Sequence, residues 1–151
     1  MGTYSIRRAV LADAPQVTEL VNDAYGPYIA RIGRKPGPMT DDYTEVIDTH
    51  DVSVAERDTI IEGLVVLRVT EEGFLIDNVA VRPAMRGTGL GRALLELAEA
   101  KARQAGFDSI YLFTHEKMTE NQALYSRIGY VEYDRRSQGD FNLVFMRKPL
   151  T

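Results

Sequence analysis

The hydrophobic residues of the chain fall into two kinds of pattern. Short runs rich in branched and aromatic residues predict strands, and these lie at residues 4–9, 51–55, 60–69, 74–81, 109–114, 130–133 and 141–146. Apolar residues at helical spacing predict helices, and these lie at residues 14–24, 90–104 and 119–128, with a short helix at 42–47. At residues 28–32 the prolines and glycines nearby allow no more than one helical turn. The chain therefore alternates between strands and helices along its whole length.

Polar and glycine residues mark several ends of these elements. Asp13, Asp42 and Thr119 are residue types that cap helices, and each directly precedes a helical pattern. Gly63 interrupts the longest strand pattern, which indicates a β-bulge.

The order of the elements, β-α-α-β-β-β-α-β-α-β-β, predicts a twisted mixed sheet with helices on both faces. A strand, a helix and a strand follow one another between residues 74 and 114, which implies a right-handed crossover and a parallel pair of strands. With 151 residues, the chain is expected to form one domain, residues 1–151.

A glycine-rich stretch joins the two elements of this crossover. Pro83 cannot donate to a strand ladder, so the strand is expected to end before it. Arg86 to Gly91 then form a turn into a helix. A helix start exposes backbone amides and carries about half a positive charge, which suits a phosphate group. Arg82, Arg86 and Arg92 add positive charge, so the stretch is predicted to bind a pyrophosphate.

The spacing of the glycines narrows the choice of ligand. A Walker loop requires Gly-Lys-Ser/Thr, but Gly91 is followed by Arg92 and Ala93. A dinucleotide fingerprint requires Gly-x-Gly-x-x-Gly, whereas Gly87, Gly89 and Gly91 are each two residues apart. A nucleotide-binding domain of the Rossmann type is therefore disfavoured.

Composition argues against several kinds of partner and of site. The net charge of −4 argues against a nucleic-acid or membrane partner, although a local basic patch stays open. There is no cysteine, so a disulfide, a thiolate metal site and a cysteine acyl-enzyme are excluded, and two histidines are too few for a histidine metal site. No metal is expected. The chain has no apolar run of about 18 residues and no signal-peptide core, so a cytoplasmic location is expected.

Arg86-x-x-Gly89-x-Gly91, following Val-Arg-Pro, resembles the acyl-coenzyme A signature of the GNAT N-acetyltransferase superfamily. A second segment, Asn121 to Tyr130 with Tyr125 four residues before Gly129, resembles the family's Asn…Ala…Leu-Tyr-x-x-x-Gly-Phe/Tyr motif. The resemblance spans essentially the whole chain. It implies an α+β fold with α/β/α layers, whose twisted sheet is mixed and mostly antiparallel around a central parallel pair.

The resemblance also implies roles for particular residues. The cosubstrate would be acetyl-CoA, and its binding residues would be Val79, Ala80, Val81, Arg86, Gly87, Thr88, Gly89, Leu90, Gly91, Arg92 and Asn121. Tyr125 would be the general acid beside the sulfur, because a phenol stays protonated at neutral pH. Asp77 is the first candidate for the general base, with His115 or a water relay as alternatives.

Residues 26–39, here called the basic segment, combine prolines and glycines with Arg31, Arg34 and Lys35. A loop of this length in a compact domain is usually functional or mobile. Tyr28, Arg31 and Arg34 are therefore predicted to bind the acceptor, the alternative being a solvated basic loop.

Together these features predict an N-acyltransferase that moves an acetyl group from acetyl-CoA to a primary amine of a small molecule or peptide. The absence of cysteine favours direct attack in a ternary complex. The alternative is a non-catalytic acyl-CoA-binding sensor on the same fold. The acceptor, the acyl-chain preference and the oligomeric state, for which a homodimer is one option, stay open.

Overall fold

The computed structural model describes residues 4–151. Residues 1–3, which the predicted domain 1–151 includes, lie outside this range. The contacts group the chain into two compact units, one comprising the chain up to Leu67 together with Asn78–Ala98, the other comprising Arg68–Asp77 and Glu99–Thr151. Among the described residues, no helix is both long enough and apolar enough to cross a membrane.

Residues 4–151 form seven strands and five α-helices. The strands are β1 (Ser5–Arg8), β2 (Asp51–Arg57), β3 (Ile60–Thr70), β4 (Gly73–Val81), β5 (Ser109–His115), β6 (Val131–Gln138) and β7 (Phe141–Pro149). The helices are α1 (Ala14–Tyr25), α2 (Tyr28–Ile32), α3 (Tyr43–Thr49), α4 (Leu90–Gln104) and α5 (Thr119–Arg127). Short 3-10 turns occupy Leu11–Asp13, Gly37–Thr40 and Pro83–Met85.

The predicted fold class is confirmed. The strands form one sheet in the order β1-β2-β3-β4-β5-β7-β6. Strand pairs β1–β2, β2–β3, β5–β7 and β6–β7 are antiparallel, whereas β4 and β5 are parallel, with Phe74 opposite Ile110 and Ile76 opposite Leu112. Since consecutive parallel strands need a crossover, helix α4 fills the connection between β4 and β5.

In the first unit, helices cover both faces of the strands. The buried side chains of α1 and α3 pack with Leu64 and Val66 of β3 in one apolar core. The bulge in β3 lies beside Gly63, as the sequence predicted, because the register with β2 shifts between Ala55 and Glu56. A Cβ at Gly63 would meet the Leu94 side chain at 3.0 Å. Helix α4 therefore lies close to the opposite face of the sheet at Gly63, where a larger residue would require the Leu94 side chain to shift.

In the second unit, a smaller apolar core consists of Leu75, Tyr111, Leu143 and Phe145. Arginine side chains lie over its aromatic rings: the guanidinium carbon of Arg136 is 4.1 Å from the centre of the Phe145 ring, and that of Arg147 is 5.0 Å from the centre of the Tyr111 ring. Such contacts add cation–π attraction to the apolar packing.

Strand β6 forms one edge of the sheet and is mostly exposed. Its register with β7 shifts between Glu132 and Asp134, which places a bulge at the edge. Its charges pair with each other, Arg135 with Glu132 at 2.9 Å and Arg136 with Asp134 at 2.7 Å.

Of the three predicted helix caps, Asp42 is confirmed, Asp13 takes the N-cap position of α1 without a side-chain cap bond, and Thr119 is wrong. The Asp42 carboxylate accepts the amide of Thr44 at 3.0 Å and caps α3. The Asp13 carboxylate makes no cap bond to α1, because it accepts two bonds from the Arg7 guanidinium at 2.8 and 3.0 Å. This partner holds the pKa of Asp13 below its usual range. Thr119 lies inside α5, whose N-cap is Met118 without a side-chain bond.

Candidate functional site

The stretch Arg86 to Gly91, here called the glycine turn, connects the 3-10 turn at Pro83–Met85 to helix α4. Gly87 and Gly89 have φ angles of +77° and +91°. Side chains other than glycine rarely adopt this left-handed region, so the two glycines are needed for the course of the backbone. A Cβ added at either position would meet nothing within 4 Å. The space beside the turn is therefore open to a ligand.

The backbone of the glycine turn keeps several donors unused. The amide of Arg86 donates to the Pro83 carbonyl at 3.2 Å, and that of Thr88 donates to the Met85 carbonyl at 3.3 Å. In the described part of the chain, the four other amides of this stretch and that of the following residue, Arg92, donate to no backbone acceptor; the four belong to Gly87, Gly89, Leu90 and Gly91. Unpaired amides at the start of a fifteen-residue helix attract an anion. The residues present fit a pyrophosphate.

The three arginines predicted to surround the turn differ in their contacts. The Arg82 guanidinium donates to Glu19 and Asp23 at 3.1 and 3.0 Å, so its charge is neutralised within the protein, contrary to the expectation that it serves the phosphate. Arg86 donates to the carbonyl of Ala24 at 3.3 Å, near the end of α1. Arg92 is exposed and pairs loosely with Glu96 at 3.5 Å. Arg86 and Arg92 are thus the cations that remain on the turn.

Strand β4 leads into the turn and alternates in burial. Asn78 and Ala80 are buried at 7% exposure each, whereas Val79 and Val81 are half-buried. The side chains of Val79 and Val81 thus lie on the more accessible face of the strand end. The Val79 carbonyl is 3.3 Å from the hydroxyl of Tyr25.

The basic segment, residues 26–39, contains α2 and part of a 3-10 turn. Arg31 and Arg34 are exposed and Tyr28 is half-buried. The Arg31 guanidinium carbon is 5.1 Å from the centre of the Tyr28 ring, so the structure brings these two predicted acceptor residues together.

A buried polar chain links this segment to β4 and was missed by the sequence analysis. The hydroxyl of Tyr25 donates to the Asn78 side-chain oxygen at 2.6 Å, and the Asn78 side-chain nitrogen donates to the Tyr43 hydroxyl at 3.1 Å. The Tyr43 hydroxyl donates to the Pro38 carbonyl at 2.7 Å. The available signal was a polar Asn78 inside an apolar strand pattern, since buried amides require partners.

The second motif, Asn121 to Tyr130, lies in the second unit and covers most of α5 and the residues that follow it. Tyr125 is 8% exposed, and its ring lies 5.8 Å from that of Tyr130. The Tyr130 hydroxyl is buried and has no hydrogen-bond partner within the residues described. The side-chain nitrogen of Asn121 lies 3.7 Å from the sulfur of Met118, the residue that precedes the helix.

The two candidate bases differ in how they are held. The Asp77 carboxylate forms an ion pair with Arg68 at 3.6 Å and is only partly buried. His115 is buried, and its Nδ1 accepts the amide of Lys117 at 3.0 Å, so the neutral ring carries its proton on Nε2. Burial lowers the pKa of His115. The neutral ring can accept a further proton only at Nδ1, and it would lose the bond from Lys117 in doing so.

The acetyltransferase (GNAT) domain model matches residues 48–132, more than half of the chain. An IAA acetyltransferase of Azospirillum brasilense is 33% identical over 103 residues, covering 64% of this chain and 66% of that protein. N-alpha-acetyltransferase 80 of Mus musculus is 39% identical over 56 residues, covering 37% of this chain and 17% of that protein.

Among solved structures, the PaiA N-acetyltransferase from Thermoplasma acidophilum, in complex with coenzyme A, superposes with a TM-score of 0.81. The match covers 97% of this chain and 99% of that chain at 16% sequence identity, so it concerns the fold.

Proposed function

The chain belongs to the GNAT acetyltransferase family, and we propose that it transfers an acetyl group from acetyl-CoA to a primary amine. The acceptor would be a small molecule or a peptide. The observation that carries this proposal is the glycine turn, where left-handed Gly87 and Gly89 and the unused amides at the start of α4 suit a pyrophosphate. The likeness to a coenzyme A complex supports the same ligand.

Acetyl-CoA would supply the acetyl group as a thioester. The amides of the glycine turn would hold its pyrophosphate, with Thr88, Arg86 and Arg92 beside them, and the backbone of Val79 to Val81 would hold the pantetheine arm. Asn121 is the predicted additional contact. Since the chain has no cysteine, we propose that the amine attacks the thioester directly.

The transfer forms a carbon–nitrogen bond, breaks the carbon–sulfur bond and moves two protons. We propose that Tyr125 gives one proton to the leaving sulfur, as a phenol can at neutral pH. Before attack, the ammonium form of the acceptor loses a proton to Asp77 or to a water relayed to solvent, and the neutral amine then attacks the thioester carbon. The second proton lost by the nitrogen restores the Tyr125 phenol. The Lys117 amide at Nδ1 of His115 makes that histidine the weaker alternative.

We further propose that the acceptor carries an acidic group. Arg31 and Arg34 are exposed on the basic segment of a chain whose net charge is −4. A guanidinium fork suits a carboxylate or phosphate, which would orient the amine through a charge-assisted contact. We also expect action in the cytoplasm, without a metal, nucleic-acid or membrane partner, as a monomer or a homodimer.

The deciding experiment incubates the purified protein with acetyl-CoA and a panel of acidic, neutral and cationic amines. Thiol release and the mass of the product are measured together, so that thioester hydrolysis is distinguished from transfer. We expect an acetylated amine in an amount equal to the released thiol, with acidic amines favoured. A reaction without any amine controls for hydrolysis of the thioester.

Tight coenzyme binding by calorimetry without any acetylated amine would contradict the transferase proposal. That outcome would favour the alternative, a sensor of acyl-CoA on the same fold.

A further inference from the structure

The hydrogen bonds that link Tyr25, Asn78, Tyr43 and Pro38 each have a defined donor and acceptor. Tyr25 donates to the Asn78 oxygen, the Asn78 nitrogen donates to Tyr43, and Tyr43 donates to the Pro38 carbonyl. Each hydroxyl has a single proton, so the Tyr43 proton is committed to Pro38 while its oxygen accepts from Asn78. Asn78 and Tyr43 are 7% and 3% exposed. Bonds among buried groups are costly to break, because a group that loses its partner cannot turn to water.

These hydrogen bonds fix both ends of the basic segment. Tyr25 is the last residue of α1 and directly precedes the segment, and Pro38 lies near its far end. Both are connected to the same side chain, that of Asn78. The intervening residues, among them Arg31 and Arg34, therefore form a closed loop that is anchored at one position of β4.

The anchor lies next to the backbone that the proposed function assigns to the coenzyme. Asn78 directly precedes Val79, and the Tyr25 hydroxyl also reaches the Val79 carbonyl at 3.3 Å. A shift of Asn78 would thus move the strand end and both ends of the segment together.

We propose that Tyr43 and Asn78 are positioning residues for the acceptor. They hold the basic segment at a fixed place relative to Val79, and this sets the affinity for the acceptor rather than for the coenzyme. The inference rests on the proposed function for the part that concerns the acceptor. A side-chain network that served stability alone would lower the melting temperature and leave the acceptor KM unchanged.

The test compares Tyr43→Phe with the matched control Tyr133→Phe, which also removes one tyrosine hydroxyl, the one that donates to Glu72 at 3.0 Å. We expect Tyr43→Phe to raise KM for the best acceptor by about 10-fold, the effect of one hydrogen bond to a buried group, with little change in kcat or in the coenzyme Kd. The control should leave all three values unchanged.

A second measurement needs no turnover. Trypsin cleaves after Arg31 and Arg34, whereas Lys35 is protected by the following Pro36. We expect cleavage within the segment to be at least about 5-fold faster in Tyr43→Phe than in the control, because local opening exposes the backbone. Tyr25→Phe should act similarly. The double variant Tyr25→Phe/Tyr43→Phe should raise the cleavage rate and the acceptor KM by less than the product of the two single effects, since both substitutions break the same set of hydrogen bonds.

Unchanged cleavage and an unchanged acceptor KM in folded Tyr43→Phe protein would overturn the proposal. A large fall in kcat at constant KM would also overturn it, because the network would then act on the chemical step. Multiplicative effects in the double variant would show two separate contacts instead of one anchor. Failure of the proposed function is recognised separately, since the wild type would acetylate no amine while cleavage of Tyr43→Phe was still accelerated.

Discussion

The glycine turn and the basic segment are shaped in opposite ways. The turn takes its form from its own backbone, through Gly87 and Gly89 in the left-handed region and bonds between neighbours such as Thr88 and Met85. The basic segment is held from outside, by a hydroxyl on α3 and an amide on β4. A binding site made of backbone tolerates few residue types but depends on little else. A segment held by side chains of other elements can vary in its own sequence, but its position is sensitive to substitutions in those elements.

The largest expected effect is a loss of coenzyme binding, and it is tested by placing the same substitution in each of the two regions. Gly89 and Gly33 have φ angles of +91° and +90°, and a Cβ at either would meet nothing within 4 Å. Gly89→Asp and Gly33→Asp thus impose similar backbone strain. Only Gly89→Asp puts a negative charge where the phosphate is proposed to lie. We expect it to weaken coenzyme binding by at least about 1,000-fold, as the loss of two charge-assisted bonds would.

Calorimetry with coenzyme A on both folded variants makes this comparison. Gly33→Asp should bind with nearly wild-type affinity. Equal losses in the two variants would mean that strain, not phosphate binding, explains the result at Gly89.

A smaller effect is expected on turnover, from a residue that lies in neither of the two regions. Tyr125→Phe removes a hydroxyl and keeps the ring that packs on Tyr130. We expect kcat to fall by about 100-fold, within the range of general acid catalysis, with little change in either affinity. The matched control is Tyr130→Phe, whose hydroxyl has no partner in the described chain and should matter little for kcat. Steady-state kinetics of both variants provide the test, and an unaltered kcat in Tyr125→Phe would show that the sulfur leaves without its proton.

The smallest of the three effects should fall on the acceptor. The double substitution Arg31→Ala/Arg34→Ala removes the two exposed guanidinium groups of the segment, keeps Lys35 and leaves the anchor at Tyr43 intact. We expect KM for an acidic amine to rise by about 10-fold, since exposed charge-assisted contacts are screened by solvent. KM for a neutral amine and the coenzyme Kd should stay the same. Arg8→Ala, at another exposed arginine, serves as the control.

A preference for neutral or cationic amines that the double substitution leaves unaltered would instead make the basic segment a solvated loop. Salt gives an independent measurement: the KM for an acidic amine should rise with ionic strength if these charges act on it.

Much of the fold was predictable because its signals are local. The short helix at Tyr28–Ile32 and the bulge beside Gly63 both follow from residues within a few positions. The hairpin of β6 and β7 was predicted too short. Strand β6 reads Val-Glu-Tyr-Asp-Arg-Arg-Ser-Gln, in which charge hides the strand pattern, and it is a strand because β7 pairs with it.

Two of the incorrect expectations have the same cause, which is a competing partner on another element. Asp13 has the residue type of a cap, but Arg7 of β1 takes its carboxylate. Arg82 has the charge for a phosphate, but Glu19 and Asp23 neutralise it from α1. The positions of the glycine turn were predictable because they depend on backbone conformation alone, whereas the roles of Tyr125, Asp77 and Asn121 stay predictions.

The edge strand β6 bears on how the protein resists aggregation. An unpaired strand edge is a template on which the edge of another molecule can add hydrogen bonds. The bulge between Glu132 and Asp134 interrupts the regular row of such groups, and Arg135 and Arg136 place charge beside it. An incoming strand would have to bury these charges and match an irregular ladder. The outer edge of β6 thus favours contact with water over growth of a shared sheet at high protein concentration.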